Sequence, residues 1–190
     1  MLSVFIDRVI YEAIEHEQSN AATTKKLQGE ESLSDFLVDV KAEVKNKAVS
    51  LLARREHAVY ELKLKLESKG FSGLVVDQAL EELIEDDYLN ESRYVEMMIR
   101  HHFQRGNGPN KIRHIMRQQK VANSLVQKFF EDFDGDWQIS AKQARVKRFG
   151  EAELPKSRSE YLKEKSRQIR FLLGRGFEQS DIETVFESSE

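Results

Sequence analysis

The sequence predicts an all-α protein built from tandem helical repeats. Apolar residues recur at three- and four-residue intervals along nearly the whole chain, which is the period of an amphipathic helix. A short pattern also occurs three times, at Lys69-Gly70-Phe71, Gln119-Lys120-Val121 and Arg175-Gly176-Phe177, with spacings of 50 and 56 residues. Spacings of this size are typical of tandem supersecondary units. Such units form an elongated, curved surface rather than a closed catalytic pocket, so the expected function is binding.

The three copies of this pattern align their apolar residues as well as their turns. The aligned sets are Val76, Val126 and Ile182; Ala79, Phe129 and Val185; Leu80, Phe130 and Phe186; and, upstream, Leu66, Met116 and Leu172. Because each copy places apolar side chains at the same helical positions, we expect each repeat to bury a small core of its own.

The repeats divide the chain into four segments. Residues 1–32 form an N-terminal extension, with an amphipathic helix over Leu2–Ala13 followed by a polar, flexible connector. Three-helix repeats are expected over 33–89, 90–135 and 136–190, which gives nine repeat helices and no strand. The last two helices are expected over Tyr161–Gly174 and Asp181–Ser188.

Turn and cap residues indicate where these helices begin and end. Glycine is favoured where a helix closes in the left-handed conformation, and proline is favoured at a first helical position. Serine and asparagine are favoured as N-caps. The predicted closing residues are Gly70, Gly106, Gly150 and Gly176, the predicted first residue is Pro109, and the candidate N-caps are Ser72, Asn90, Asn123 and Ser180.

Composition narrows the class of protein. The chain of 190 residues is 33% charged and 39% hydrophobic, with two prolines and no cysteine. The absence of cysteine excludes disulfides and thiol chemistry. No stretch approaches the roughly eighteen apolar residues that a membrane span requires. The first residues lack the basic region of a signal peptide, so we expect a cytoplasmic protein without membrane contact.

Catalytic and metal-binding patterns are weak. His101 and His102 are adjacent, so on a helix they point too far apart to clamp one metal. The segment Gly106-Asn107-Gly108-Pro109 follows a helix and lacks the lysine of a phosphate loop, so we interpret it as a turn. The residues therefore favour a protein that is not an enzyme and carries neither a cofactor nor a metal.

Charge is divided unevenly along the chain. Residues 1–91 carry 11 basic and 19 acidic side chains, whereas residues 92–175 carry 19 basic and 9 acidic ones. The tail from 178 onward has five acids and no base. A cationic surface between anionic ends would accelerate association with nucleic acid or with an acidic protein face. The alternative is that these charges only solvate helix surfaces.

The candidate binding residues are the cations of the second and third repeats. Arg113, Arg117 and Lys120 are spaced to share one helical face, and such faces suit phosphate contact without sequence reading. No aromatic ladder interleaves the cations, so base stacking is not expected to dominate. The candidates are Arg93, Arg100, Arg105, Lys111, Arg113, Arg117, Lys120, Arg145, Lys147, Arg148, Lys165, Arg167, Arg170 and Arg175.

Two segments carry a recognisable motif: Asp87–Tyr94, which contains Tyr88, and Gly106–Arg113, which contains Gly108 and Pro109. Together they resemble the signature of the RecX family, bacterial regulators of the RecA recombinase. Arg54–Leu66 and Lys165–Phe177 resemble its opening and closing stretches. The resemblance covers about residues 44–190. Asp87 departs from the family pattern, which has glycine before the tyrosine, and Lys120 departs from a usual glycine. The latter argues against a tight left-handed turn at Lys120.

The resemblance implies a fold and a function. It implies three three-helix repeats in a curved, right-handed rod that binds the groove of the RecA–DNA filament. It also implies inhibition of ATP hydrolysis, strand exchange and filament growth. We expect a monomer that binds the RecA filament and contacts single- and double-stranded DNA through phosphates. The alternative is a DNA-binding helical array that acts without RecA.

Overall fold

A computed structural model describes residues 30–151, 155 and 157–187. This part of the chain contains nine helices and no strand, as the sequence predicts. The predicted helix at Leu2–Ala13 and most of the connector after it lie outside the described residues. The chain divides into two compact units, residues 1–91 and residues 92–190.

The first unit is a three-helix group around one apolar core. Its helices are α1 (Glu30–Leu52), α2 (Val59–Glu67) and α3 (Gly73–Glu85). All three contribute fully buried aliphatic side chains, because each helix repeats its apolar residues at helical spacing. On the surface, Lys45 donates to Glu82 at 2.7 Å, which joins α1 to α3. The buried set comprises Val44, Ala48, Leu62, Leu66, Val75, Val76, Ala79, Leu80, Leu83 and Leu89.

The second unit contains six helices in two groups of three. The first group is α4 (Glu91–Gln104, whose first residue still belongs to the first unit), α5 (Pro109–Gln118) and α6 (Asn123–Glu131). The second group is α7 (Trp137–Phe149), α8 (Arg158–Arg175) and α9 (Gln179–Glu187). The last two helices therefore start earlier than the sequence predicted.

The repeated apolar positions are mostly buried, as expected. Val76, Val126 and Ile182 are 0%, 4% and 1% exposed. The exceptions are Phe129 and Phe130, which are only partly buried. Phe130 instead lies 5.9 Å from the ring of Trp137, in an aromatic cluster where the rings of Phe103, Phe133 and Trp137 lie 5.0–5.3 Å apart. That cluster connects the two three-helix groups of the second unit.

The three repeated turns share a positive φ angle at the same position, which corrects the expectation for Lys120. Gly70, Lys120 and Gly176 all have positive φ angles, of 92°, 57° and 87°. The Val121 N–H donates to Met116 O at 3.1 Å, and the Phe177 N–H donates to Leu172 O at 3.2 Å. This six-to-one bond belongs to the left-handed Schellman turn. The buried residue that follows each turn, Val121 or Phe177, favours the turn even where lysine replaces glycine.

Several predicted caps are confirmed and others are wrong. Pro109 is the first residue of α5, Gly150 closes α7, and Ser72 occupies the N-cap of α3 without a side-chain capping bond. The N-cap of α6 is Ala122, so Asn123 lies inside the helix. Ser180 likewise lies inside α9, where Asp181 Oδ2 accepts the Glu178 N–H at 3.2 Å. The burial of Val121 sets where α6 begins, and the Asp181 carboxylate sets where α9 begins.

Candidate nucleic-acid interface

Two glycine motifs far apart in sequence meet within the second unit. The Gly108 N–H donates to Arg175 O at 2.9 Å, and the Asn110 N–H donates to Gly176 O at 2.9 Å. The backbones approach so closely that a Cβ on Gly108 would lie 2.3 Å from Phe177 N. A Cβ on Gly176 would lie 2.4 Å from Lys111 N. The segment 106–110 is therefore a packing element, and we name its contact with residues 175–178 the glycine junction.

Four of the predicted cations surround the glycine junction. Arg175 Nη1 donates to Arg105 O at 3.1 Å, and Lys111 Nζ donates to Asn107 Oδ1 at 3.2 Å. Arg113 Nη1 contacts Glu178 Oε1 at 2.6 Å, and its guanidinium lies 4.6 Å from the centre of the Phe130 ring. Some of these four cations therefore make contacts that hold the two helix groups together.

Asn107 is a buried polar residue that the sequence did not single out. It is 5% exposed. Its Nδ2 lies 3.0 Å from His102 Nδ1, while its Oδ1 accepts from Lys111. Burial lowers the pKa of His102, and the nearby charges of His101, Lys111 and Arg105 lower it further. A neutral His102 ring can accept from Asn107, so this side chain links α4 to α5. In the sequence, only its position between two glycines distinguishes Asn107.

The predicted face of α5 is only partly exposed. Arg117 and Lys120 are exposed, together with Lys111 and His114. Arg113, predicted to share their face, is instead turned toward Glu178 and Phe130. The exposed cations of α5 are therefore Lys111 and Arg117, and Lys120 lies exposed two residues after its end.

The cations of α7 and α8 have three kinds of environment. Arg145 was predicted to be a surface cation, but it is 8% exposed and its Nε donates to Gln168 Oε1 at 2.6 Å. Lys165 is partly buried and donates to Tyr161 Oη at 3.2 Å. Lys147, Arg148 and Arg170 are exposed. The inward position of Arg145 follows from its helical register with Ala141 and Ala144, which are both buried.

The remaining candidates lie on α4, and the signature tyrosine lies just before it. Arg100 is exposed and contacts Glu96 at 3.2 Å, whereas Arg93 is partly buried. Tyr88 is 56% exposed in the first unit. A small concave site of about 150 Å³ lies between α4 and α6, where Ile99, Phe129 and Phe133 meet Glu96, Arg100 and Asp132.

Aromatic rings do interleave with cations, contrary to the sequence interpretation. Phe149, the last residue of α7, packs edge-on against Phe171 of α8, with ring centres 5.3 Å apart. Arg167 lies 5.0 Å from the Phe149 ring, and Arg175 lies 5.3 Å from the Phe171 ring. The interleaving arises from the packing of two helices and is invisible in the linear order of residues.

Residues 30–151, 155 and 157–187 contain no group of three or more histidine or acidic side chains placed to hold a metal ion. Across the same residues, no helix has the length and apolar character needed to cross a bilayer.

Comparison with known proteins decides the family. Residues 45–83 match the first three-helix domain of RecX, and residues 90–128 match the second. The regulatory protein RecX of Halorhodospira halophila is 40% identical over 134 residues, which span 70% of this chain and 80% of that protein. The regulatory protein RecX of Vibrio vulnificus is 36% identical over 133 residues, spanning 70% and 84%. The chain belongs to the RecX family.

Solved structures support the same fold. A crystal structure of regulatory protein RecX is similar with a TM-score of 0.70 at 16% identity, covering 93% of this chain and 87% of the other. The structure of RecX from Lactobacillus salivarius gives 0.64 at 17% identity, covering 80% and 97%. The all-α class is therefore confirmed, and the chain belongs to a family of regulatory proteins. The helices α7–α9 lie beyond the two matched RecX domains.

Proposed function

We propose that this chain inhibits the RecA recombinase by binding in the groove of the RecA–DNA filament. There it would suppress ATP hydrolysis, strand exchange and filament growth. The observation that carries the proposal is membership of the RecX family together with the signature residues at the glycine junction. Those residues hold two helix groups in one arrangement, which suits a protein that must match a fixed partner surface.

The charge distribution supports a partner that combines protein and DNA. Arg117, Lys147 and Arg148 are exposed and carry no ion pair with any described residue. They can therefore contact phosphates without breaking an internal bond. The first unit is predominantly acidic, which a plain DNA-binding protein would not need. We further propose that the protein is a cytoplasmic monomer that acts as a regulator without catalysing a reaction.

The second candidate is a DNA-binding protein that acts without RecA. Its support is the same set of exposed cations, because phosphate contact alone supplies non-specific affinity. The two candidates differ in whether RecA is needed for tight binding. Binding to DNA should therefore be measured with and without RecA at one fixed salt concentration.

The deciding experiment measures RecA-dependent ATP hydrolysis on single-stranded DNA. The variant Arg117→Glu/Lys120→Glu changes exposed charges and leaves Arg113, which holds Glu178, untouched. We expect it to weaken inhibition and to lower the salt slope of DNA binding by about 0.7–0.9 per lost phosphate contact. The matched control is Lys47→Glu on the exposed side of α1, which should change neither quantity.

Each result has a distinct meaning. A lower salt slope with full inhibition would show that these cations contact DNA only and that RecA binds elsewhere. No inhibition of ATP hydrolysis by the unaltered protein, combined with tight DNA binding, would favour the second candidate. An unchanged slope and unchanged inhibition would show that the cations only solvate the helix.

A further inference from the structure

The packing of α7 on α8 produces a surface of alternating cations and aromatic rings. Arg167, Phe171 and Arg175 are four residues apart along α8, so they share one face of the helix. Phe149 of α7 packs against Phe171 and lies under Arg167, with the distances given above. The order in space is Arg167, Phe149, Phe171, Arg175, and we name this set the Arg–Phe strip.

The strip is accessible to a ligand. Phe149, Phe171 and Arg175 are partly exposed, and Arg167 is exposed. Gly150, next to Phe149, and Gly174, next to Arg175, both border open space, since a Cβ at either position would meet nothing within 4 Å. Exposed Lys147, Arg148 and Arg170 add positive charge on the same two helices. Arg167 also has an acidic neighbour, because its Nη2 contacts Glu164 Oε1 at 2.9 Å.

The strip continues into the glycine junction. Arg175 donates to the carbonyl of Arg105, so the exposed cation at the end of α4 extends the line of positive charge. The eight helical steps from Arg167 to Arg175 cover about 12 Å of helix. At the 3.4 Å rise of a stacked strand, that length matches roughly four nucleotides.

We propose that the Arg–Phe strip binds unpaired nucleotides of single-stranded nucleic acid. The bases would stack on Phe149 and Phe171 while the guanidinium groups contact phosphates, the combination that single-strand-binding surfaces use. A duplex offers the same phosphates, but its base faces are covered by neighbouring bases. Aromatic contact therefore adds affinity for a single strand only. This inference deepens the nucleic-acid part of the proposed function and does not depend on RecA.

The test compares single-stranded and duplex binding by fluorescence anisotropy. The probes are a labelled oligodeoxythymidine strand and a labelled hairpin duplex, measured with the full chain. We expect Phe149→Leu to lower single-strand affinity by at least about fivefold, because stacking on one aromatic side chain is worth that much. Duplex affinity and both salt slopes should stay unchanged. Arg167→Gln should instead lower the salt slope on both probes.

Phe171 also packs against the buried core of the last three helices, so Phe171→Leu could perturb folding. Phe149 lies outside that core cluster, and the ratio of the two affinities is insensitive to the folded fraction. An unchanged ratio in Phe149→Leu, whether neither affinity changes or both fall equally, would overturn the proposal and leave the rings a packing role. Failure of the proposed function would look different: single-strand binding would remain intact without inhibition of RecA.

Discussion

At the residue scale, the glycines of this chain differ in whether the surrounding structure leaves room for a side chain. Gly108 has an ordinary φ of −82°, so any residue could adopt its backbone. What excludes a side chain there is the backbone of Gly176 and Phe177, which would lie 2.3–2.4 Å from its Cβ. Gly174 lies inside α8 with open space around it. The two positions therefore make a matched pair for substitution.

Gly108→Ala should destabilise the protein by about 3 kcal/mol or more, because the clash is with backbone that cannot rotate away. Gly174→Ala should instead stabilise it by about 0.5–1 kcal/mol, since glycine is a poor helix former. Urea denaturation of both variants measures these free energies of unfolding. Equal effects of the two substitutions would mean that the glycine junction is looser than its two hydrogen bonds indicate.

Lys120 tests the cost of the left-handed turn. Its φ of 57° is unfavourable for any residue that carries a Cβ. Because the lysine side chain also has its own contacts, the comparison must be between two variants without it. We expect Lys120→Gly to be more stable than Lys120→Ala by about 1–2 kcal/mol in urea denaturation. A more stable alanine variant would place the turn outside the left-handed region.

At the element scale, the group α7–α9 depends on apolar burial and on an ion pair. Phe186 of α9 is 4% exposed within its core, whereas Phe130 of α6 is partly exposed. The sequence predicted a core position for both phenylalanines and placed Glu178 at the start of the acidic tail. The structure joins Glu178 to Arg113 across the junction, 65 residues away in sequence.

The expected order of stability losses follows from these environments. Phe186→Ala should cost about 3–5 kcal/mol through loss of burial and formation of a cavity. Phe130→Ala should cost less, because its ring is not fully enclosed. Glu178→Ala should cost about 0.5–1 kcal/mol, the range for a partly exposed ion pair. Chemical denaturation ranks the three, and a larger loss at Glu178 than at Phe186 would contradict the assignment of the core.

At the scale of the whole molecule, sequence periodicity predicted most of the fold. The repeated turns and the aligned apolar positions located the helices, because those signals depend on residues only a few positions apart. Contacts between repeats could not be read in the same way. The approach of Gly108 to Gly176, the inward Arg145 and the ring of Phe149 beneath Arg167 depend on how helices pack. Linear spacing carries no record of that packing, so the basic surface was predicted in composition but not in detail.

The same whole-molecule view predicts how stability depends on pH, since His57 is buried in the first unit and His102 is partly buried in the second. Burial lowers the pKa of His57 and of His102 from the ordinary value of 6.5. His57 is 2% exposed, with Nδ1 bonded to Arg55 O at 2.9 Å and Nε2 lying 3.1 Å from Lys65 Nζ. Both rings accept a bond in the neutral state, and protonation would set His57 against the Lys65 ammonium.

The direction in which stability changes with pH follows from proton uptake. Below pH 6.5 the unfolded chain binds protons at these two histidines that the folded chain does not yet bind. Their stabilisation is therefore complete above pH 6.5 and is lost as pH falls toward the folded pKa values. The limit is about 1.4 kcal/mol per pH unit for each histidine. Urea denaturation at pH 7.5 and 5.5 should show this loss, and His57→Gln and His102→Gln should each reduce it. His114→Gln, at an exposed position, is the control. If both variants kept the full pH dependence, the loss would have to originate in other groups.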